Sequence, residues 1–235
     1  MSVPTKWDEW DTYMWVVAHP DDAEFSSAGT IARLTKLGKK VVIVQVTSGD
    51  KGTADHTIPS DQLASGREIE EKNAADVLGV SDVVFLRCTD GELVPDLALR
   101  EKVVRQIRTF KPDVIVSHDP YRPYALHPDH RACGFAAIDA VYPTARDPHY
   151  FPEHLAEGLE PHKTAEIWFF NAEQPDLIVD ITDTFDAKIA SLKEHASQVG
   201  DGIEMEKRVR ERNAEVAAGQ EFELAEAFKT VQMRR

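Results

Sequence analysis

Short, unbroken apolar runs alternate with helix-like segments along the first 140 residues, and this alternation restricts the possible fold more than any other feature. Tyr13-Met14-Trp15-Val16-Val17-Ala18 is such a run, and it stops abruptly at His19-Pro20-Asp21-Asp22. Residues 40–47 form a second run rich in valine. Runs of this length without polar alternation fit strands covered on both faces, as in a parallel sheet between helices. Between them, Ala28, Ile31, Ala32 and Thr35 recur at helical spacing over residues 27–37, and Gly38 supplies a stop. The first fifty residues therefore predict strand, helix, strand, with a right-handed crossover. Helices are expected at 62–78, 97–110 and 128–141, and strands at 83–86 and 114–118. The class is α/β: an open, mostly parallel sheet with helices on both faces.

The second half is less regular. Residues 143–165 read as an irregular loop insertion containing Pro143, Pro148, Pro152 and Pro161. Strands are expected at 167–170 and 177–181, and a helix over 184–199 carries Phe185, Ile189, Leu192 and Ala196. The 204–216 stretch is dense in charges of both signs and reads as a solvated helix face. A single domain over 1–235, with a leader at 1–12, accommodates these elements. Hydrophobic residues at 42% and charged residues at 29% exclude a disordered or collagenous chain. A net charge of −14 repels nucleic-acid phosphates and anionic lipid, so neither is expected as a partner. Two cysteines, Cys88 and Cys133, are too few and too distant for a disulfide framework or a cysteine-rich zinc module, and read as inert thiols. The start lacks a secretory layout, and no apolar run approaches the ~18 residues of a membrane span. The expected compartment is the cytoplasm.

Ligands in open parallel sheets bind at the carboxyl ends of the strands. The first predicted strand runs into His19-Pro20-Asp21-Asp22, the second into Thr47-Ser48-Gly49-Asp50 and the fourth into His118-Asp119, with His127-Pro128-Asp129-His130 shortly after. A strand-end histidine, an aspartate three residues on and a histidine from a distant loop can close on one divalent ion. His19, Asp22 and His130 fit that pattern. Three protein ligands leave a position for water, as in catalytic rather than structural zinc. Asp21, pointing away from its neighbour, is then free to act as base, and His127 lies beside the ion, able to stabilise an oxyanion or protonate a leaving group. Each cluster alone has a plainer explanation: a turn with Asp21 or Asp22 as a helix cap, or two histidines sharing a helix face. Both clusters falling at strand-end loops favours the metal. His118 reads as a hydrogen-bonded buried histidine, and His56, His149, His154, His162 and His195 as surface or capping residues. Trp7, Trp10, Trp15 and Trp168 read as packing residues.

The stretch Ala18-His19-Pro20-Asp21-Asp22-Ala23-Glu24, with Gly29-Thr30-Ile31 following, closely resembles the opening motif of the LmbE-like (PIG-L) zinc-dependent deacetylases. His127-Pro128-Asp129-His130-Arg131 resembles that family's second motif. Arg67-Glu68, Leu78-Gly79-Val80, Asp90-Gly91, Lys111-Pro112-Asp113, Val179-Asp180-Ile181-Thr182 and His195 extend the likeness. The resemblance implies a Rossmann-like fold with one Zn²⁺ per chain that hydrolyses an N-acyl group, usually N-acetyl, on a small amino-sugar substrate. It implies zinc on His19, Asp22 and His130, Asp21 as general base and His127 against the tetrahedral intermediate. By the same resemblance Arg67 contacts substrate and Asp90 binds a sugar hydroxyl. From the residues alone, Arg67 can equally pair with Glu70 or Glu71, and Asp90 can simply open an Asp-Gly turn. Some relatives carry a tyrosine two residues before the second motif. Here that position is Ala125, with Tyr124 one residue off and Tyr121 nearby. Whether Asp21 or His127 protonates the departing amine stays open. Loops 53–60 and 145–163 are expected to shape the pocket, and relatives are often homo-oligomers. The alternatives are an amidase for thiol–sugar conjugates, a phosphoester hydrolase with a second metal, and a non-catalytic sugar-binding module.

Overall fold

The computed structural model describes residues 7–200 and 202–233. Strand β1 (Thr12–Val17) leads through α1 (Asp22–Lys36) to β2 (Lys40–Thr47), and α2 (Ser60–Leu78) connects to β3 (Asp82–Cys88). Helix α3 (Leu97–Phe110) brings the chain back to β4 (Val114–His118), and α4 (Pro128–Asp139) follows. Then come α5 (Glu153–Ala156), β5 (Glu166–Phe170), β6 (Leu177–Asp180), α6 (Phe185–Glu194), α7 (Ala196–Val199), α8 (Ile203–Val216) and β7 (Ala225–Gln232). Among the described residues, seven strands form one sheet in the order β3-β2-β1-β4-β5-β7-β6. The first five pair in parallel, while β7 pairs antiparallel with β5 and β6. The mostly parallel open α/β sheet expected from the alternation is therefore present.

Alternate residues of a strand face opposite sides of its sheet. Tyr13, Trp15 and Val17 accordingly enter one core with Ile31 and Leu34 of α1, Ile189 and Leu192 of α6 and Met205 of α8. Met14, Val16 and Ala18 enter the other, with Val103 and Ile107 of α3 and Cys133 and Ala137 of α4. Helices thus cover both faces, which is why the β1 run needs no polar alternation. Trp15 and Trp168 are fully buried, and Trp7 and Trp10 pack against the first core.

Several boundaries differ from expectation, each for a local reason. Helix α1 begins five residues early, at Asp22, because the strand-end turn passes directly into it. The 128–141 helix stops at Asp139 and continues as a wider turn, Ala140–Thr144, that holds a cis Tyr142–Pro143 peptide. The 184–199 helix is two, broken at His195. The 143–165 insertion contains the short α5. Thr12, expected in a leader, already pairs with Lys40 of β2, and residues 1–6 lie outside those described. Strand β7 was not expected, because Ala225, Ala227, Glu226 and Lys229 carry little of the bulk that marks a strand. No helix among the described residues is long and apolar enough to cross a membrane.

The strand order reverses between β1 and β4, since β2 and β3 continue on one side and β5 on the other. Such a reversal opens a crevice at the carboxyl ends of the two central strands.

Candidate active site

Both histidine-aspartate motifs meet in that crevice. His19 follows the end of β1, Asp22 opens α1, His118 ends β4, and His127 caps α4 with Pro128 at its first turn. The β4–α4 packing depends on Gly134: a Cβ there would stand 2.6 Å from the His118 carbonyl oxygen. Only glycine lets α4 approach closely enough to bring His130 over β1.

The Asp22 carboxylate is the hub. Its Oδ2 lies 3.4 Å from His19 Nδ1 and 3.3 Å from His118 Nε2, and its Oδ1 lies 3.3 Å from His130 Nε2. The rings of His19 and His130 are 5.3 Å apart between centroids. His118 Nε2 already takes the Ala18 N–H at 3.3 Å, so its lone pair is engaged, as expected of a hydrogen-bonded buried histidine. His19 Nε2 is 3.1 Å from both Asp90 Oδ1 and Asp129 Oδ2. A proton on Nε2 satisfies those carboxylates, so that loss of the Nδ1 proton to a bound cation would present the Nδ1 lone pair toward Asp22 and His130. His19 Nδ1, Asp22 and His130 Nε2 offer two imidazole nitrogens and one carboxylate, the donor types a divalent cation takes, and the sets His19, His127, His130 and Asp22, His118, His130 each lie close enough to share an ion. His127 sits against it, 4.6 Å from the His19 ring and 4.5 Å from the His130 ring. Its Nδ1 accepts the Asp129 N–H at 3.3 Å, which leaves Nε2 for a ligand.

Asp21 has a left-handed backbone (φ 93°, ψ −19°), a conformation that costs a non-glycine residue about 1–2 kcal/mol. It turns the carboxylate away from that of Asp22 and toward α2. There the Arg67 guanidinium, 4% exposed, bonds the Pro20 carbonyl at 2.7 Å, Asp21 Oδ2 at 3.2 Å and the Gly49 carbonyl at 3.1 Å. Arg67 pairs with neither Glu70 nor Glu71; Glu70 bonds Ser197 instead. Asp90 opens the Asp-Gly turn and also reaches the site, one oxygen on His19 and the other accepting the Lys51 N–H. All seven residues singled out in the sequence therefore converge. Tyr121 and Tyr124 do not: both are exposed, Tyr124 by 94%.

The electrostatics separate the two adjacent aspartates. Burial opposes a charged Asp22, but His118, His130 and His19 outweigh it and hold the group well below its ordinary value. Burial and the Asp22 charge push Asp21 up to about 7, against the pull of Arg67 and His195. Burial works against a charged His19, yet Asp22 and Asp90 carry it up to about 10. His127 is lowered by burial and by the other two histidines. A carboxylate poised near neutrality beside one held ionised is the pattern of a base next to a ligand.

Three further residues lie near the site that the sequence did not place there. Asp129, the middle of His-Pro-Asp-His, is fully buried and accepts the Gly91 and Leu93 N–H groups while facing His19 Nε2. Its position between the two histidines, on the inward side of the α4 start, was the available signal. Glu71 and His195 are buried with Glu24, so His195 is not a surface residue; it does stand at the cap position between α6 and α7, but its side chain makes no cap hydrogen bond. His195 sits where α6 gives way to α7, and its partners come from α1 and α2, far away in sequence. His154 is also buried, not superficial, with Nε2 on Glu101 at 2.7 Å.

Residues 14–141 match the family model described as PIG-L, GlcNAc-PI de-N-acetylase. A diacetylchitobiose deacetylase from Thermococcus kodakarensis is 36% identical over 185 residues, covering 79% of this chain and 69% of the relative. A 1D-myo-inositol 2-acetamido-2-deoxy-alpha-D-glucopyranoside deacetylase from Mycobacterium sp. is 26% identical, covering 79% of this chain and 73% of the relative. The solved structure of N,N'-diacetylchitobiose deacetylase from Pyrococcus horikoshii superposes with a TM-score of 0.92 at 30% identity, covering 98% of this chain and 87% of that one. With the motifs meeting in one crevice and the family model spanning more than half its length, the chain belongs to the PIG-L family.

Proposed function

We propose that this protein is a zinc-dependent amidase that removes the N-acetyl group from a small amino-sugar substrate, releasing acetate and a free amine. The observation that carries the reading is the division of labour at Asp21-Asp22: one carboxylate faces His19 and His130, and its neighbour turns away beside Arg67. The deacetylase relatives support the substrate class. The continuous sheet drawn from residues 12 to 232 supports a single domain.

His19, Asp22 and His130 would hold one zinc ion through the donors described. When bound, zinc supplies Lewis-acid polarisation of the amide carbonyl and makes water more acidic. Asp21 takes the proton as water attacks the amide carbon; when the carbon–nitrogen bond then breaks, the departing amine takes its proton from Asp21 or from His127. The free Nε2 of His127 donates to the oxygen on which charge develops, the kind of contact worth about 10²–10³ in turnover. Asp129 keeps the His19 imidazole in the tautomer that leaves Nδ1 available. Asp90, with one carboxylate edge on His19, retains lone pairs for a sugar hydroxyl.

The test is acetate release by the zinc-loaded protein from N-acetylglucosamine, N,N'-diacetylchitobiose and an N-acetylglucosaminyl-inositol. Asp21→Asn should retain one zinc per chain and lose turnover by about 10² or more. Absence of acetate from every N-acetyl sugar, or an Asp21→Asn variant near the wild-type rate, overturns the proposal.

A further inference from the structure

We infer that Glu71 is a positioning residue for Asp21, braced by His195 and working together with Arg67 one helical turn earlier on α2. The inference rests on Asp21 being the base. The starting observation is the left-handed backbone of Asp21, a conformation that persists in a non-glycine residue only where its surroundings impose it. Two side chains from the same face of α2 grip this peptide from both ends. Glu71 Oε2 accepts the Asp21 N–H at 3.4 Å, and Arg67 Nη2 donates to the preceding Pro20 carbonyl at 2.7 Å and to Asp21 Oδ2 at 3.2 Å.

Each grip is itself fixed. The Arg67 guanidinium lies in a cradle with no room for a side chain: a Cβ on Gly49 would stand 2.1 Å from Nη1, and one on Gly52 2.5 Å. Glu71 is fully buried, and His195 Nε2 stands 3.8 Å from its Oε2 and 3.5 Å from Glu24 Oε2. Neither ring nitrogen of His195, nor either oxygen of Glu24, has a hydrogen-bond partner, and the facing atoms of Glu24, Glu71 and His195 lie within 4.8 Å of one another behind Asp21. Burying three ionisable groups is unfavourable unless they are paired or hydrogen-bonded, and Glu71 finds such a partner in the Asp21 N–H. What they adjoin is the peptide that aims Asp21 past Asp22. Arg67 in this arrangement acts on the base and not on the sugar, its guanidinium being turned to Pro20, Asp21 and Gly49.

Glu71→Gln keeps an acceptor for the Asp21 N–H, whereas Glu71→Leu removes it. With the N-acetyl sugar that turns over fastest, Glu71→Leu should lower kcat by about 10–100-fold, the usual cost of misplacing a supporting group, with KM within about threefold and zinc content unchanged. Glu71→Gln should recover at least about tenfold of that loss, as the restored acceptor would. A crystal structure of Glu71→Leu should show Asp21 relaxed out of the left-handed region. Should Glu71→Leu not fold, Arg67→Lys reads the other grip: a fall in kcat at steady KM supports positioning, and a rise in KM at steady kcat makes Arg67 a substrate contact and overturns the clamp. In the Asp21→Asn background, Glu71→Leu should have no further effect, since the two act as one unit. An impaired Asp21→Asn beside an unaffected Glu71→Leu overturns this inference alone. An Asp21→Asn variant at the wild-type rate overturns the general-base assignment and this inference together.

Discussion

Two adjacent aspartates with the same side chain have opposite protonation behaviour because three imidazoles surround Asp22, whereas burial and the charge of Asp22 itself bear on Asp21. Asp129 shows how far the site extends beyond the donors themselves. It fixes His19 and is fixed in turn by two backbone N–H groups. Asp129→Ala should weaken metal affinity about 10–100-fold while leaving the three donors in place, checked by titration with a competing chelator. Glu71 provides a pH signature. Burial and the neighbouring Glu24 raise it from its ordinary 4.5 to about 8, so the folded chain keeps a proton that the unfolded chain releases. Stability of the metal-free protein should therefore fall as pH rises from about 4.5 to 8. The raised Asp21 and Glu24 act in the same direction. Glu71→Gln should flatten part of that fall in thermal melts recorded from pH 5 to 9; an unchanged slope would contradict it.

At the scale of elements, α1 is anchored by a strand that joins the sheet last. Glu226 of β7 accepts the N–H groups of Gly29 and Thr30 and the Thr30 hydroxyl, and it pairs with the fully buried Lys188 of α6 at 2.6 Å. Removing one partner of a buried pair strands the other charge, so Glu226→Ala should cost about 3–5 kcal/mol, measured by urea unfolding. Because α1 starts at Asp22, loosening its middle also reaches the site. Elements whose signal is local were readable: the apolar β1 and β2 runs, the Gly38 and Gly79 stops, and α3 ending before Pro112. Strand β7 was not readable, since Glu226 is buried by contacts nearly two hundred residues away and nothing near it in sequence predicts them. The break at His195 escaped for the same reason, as its buried neighbours lie on α1 and α2.

For the molecule as a whole, the site lies where the sheet reverses direction, so a cation there would tie β1, α1 and α4 into one unit. A ligand bound only by the folded state stabilises it by about 2.7 kcal/mol at one hundred times its Kd, or roughly 5–10 °C for a chain of this size. Chelation should lower Tm by that order and added zinc should restore it; a melt indifferent to both would exclude a resident metal. By itself the sequence determined the sheet class and singled out His19, Asp21, Asp22, His127 and His130, because strand-end motifs depend only on local hydrophobic pattern and donor spacing; Arg67 and Asp90 came from the family resemblance. Tertiary structure alone decided the left-handed turn that holds Asp21 away from Asp22, that Asp129 faces His19, and that Glu71 and His195 lie behind Asp21. Those facts depend on backbone handedness and on contacts across α1, α2 and α6, and burial gives a charged side chain its role only once the chain has closed around it.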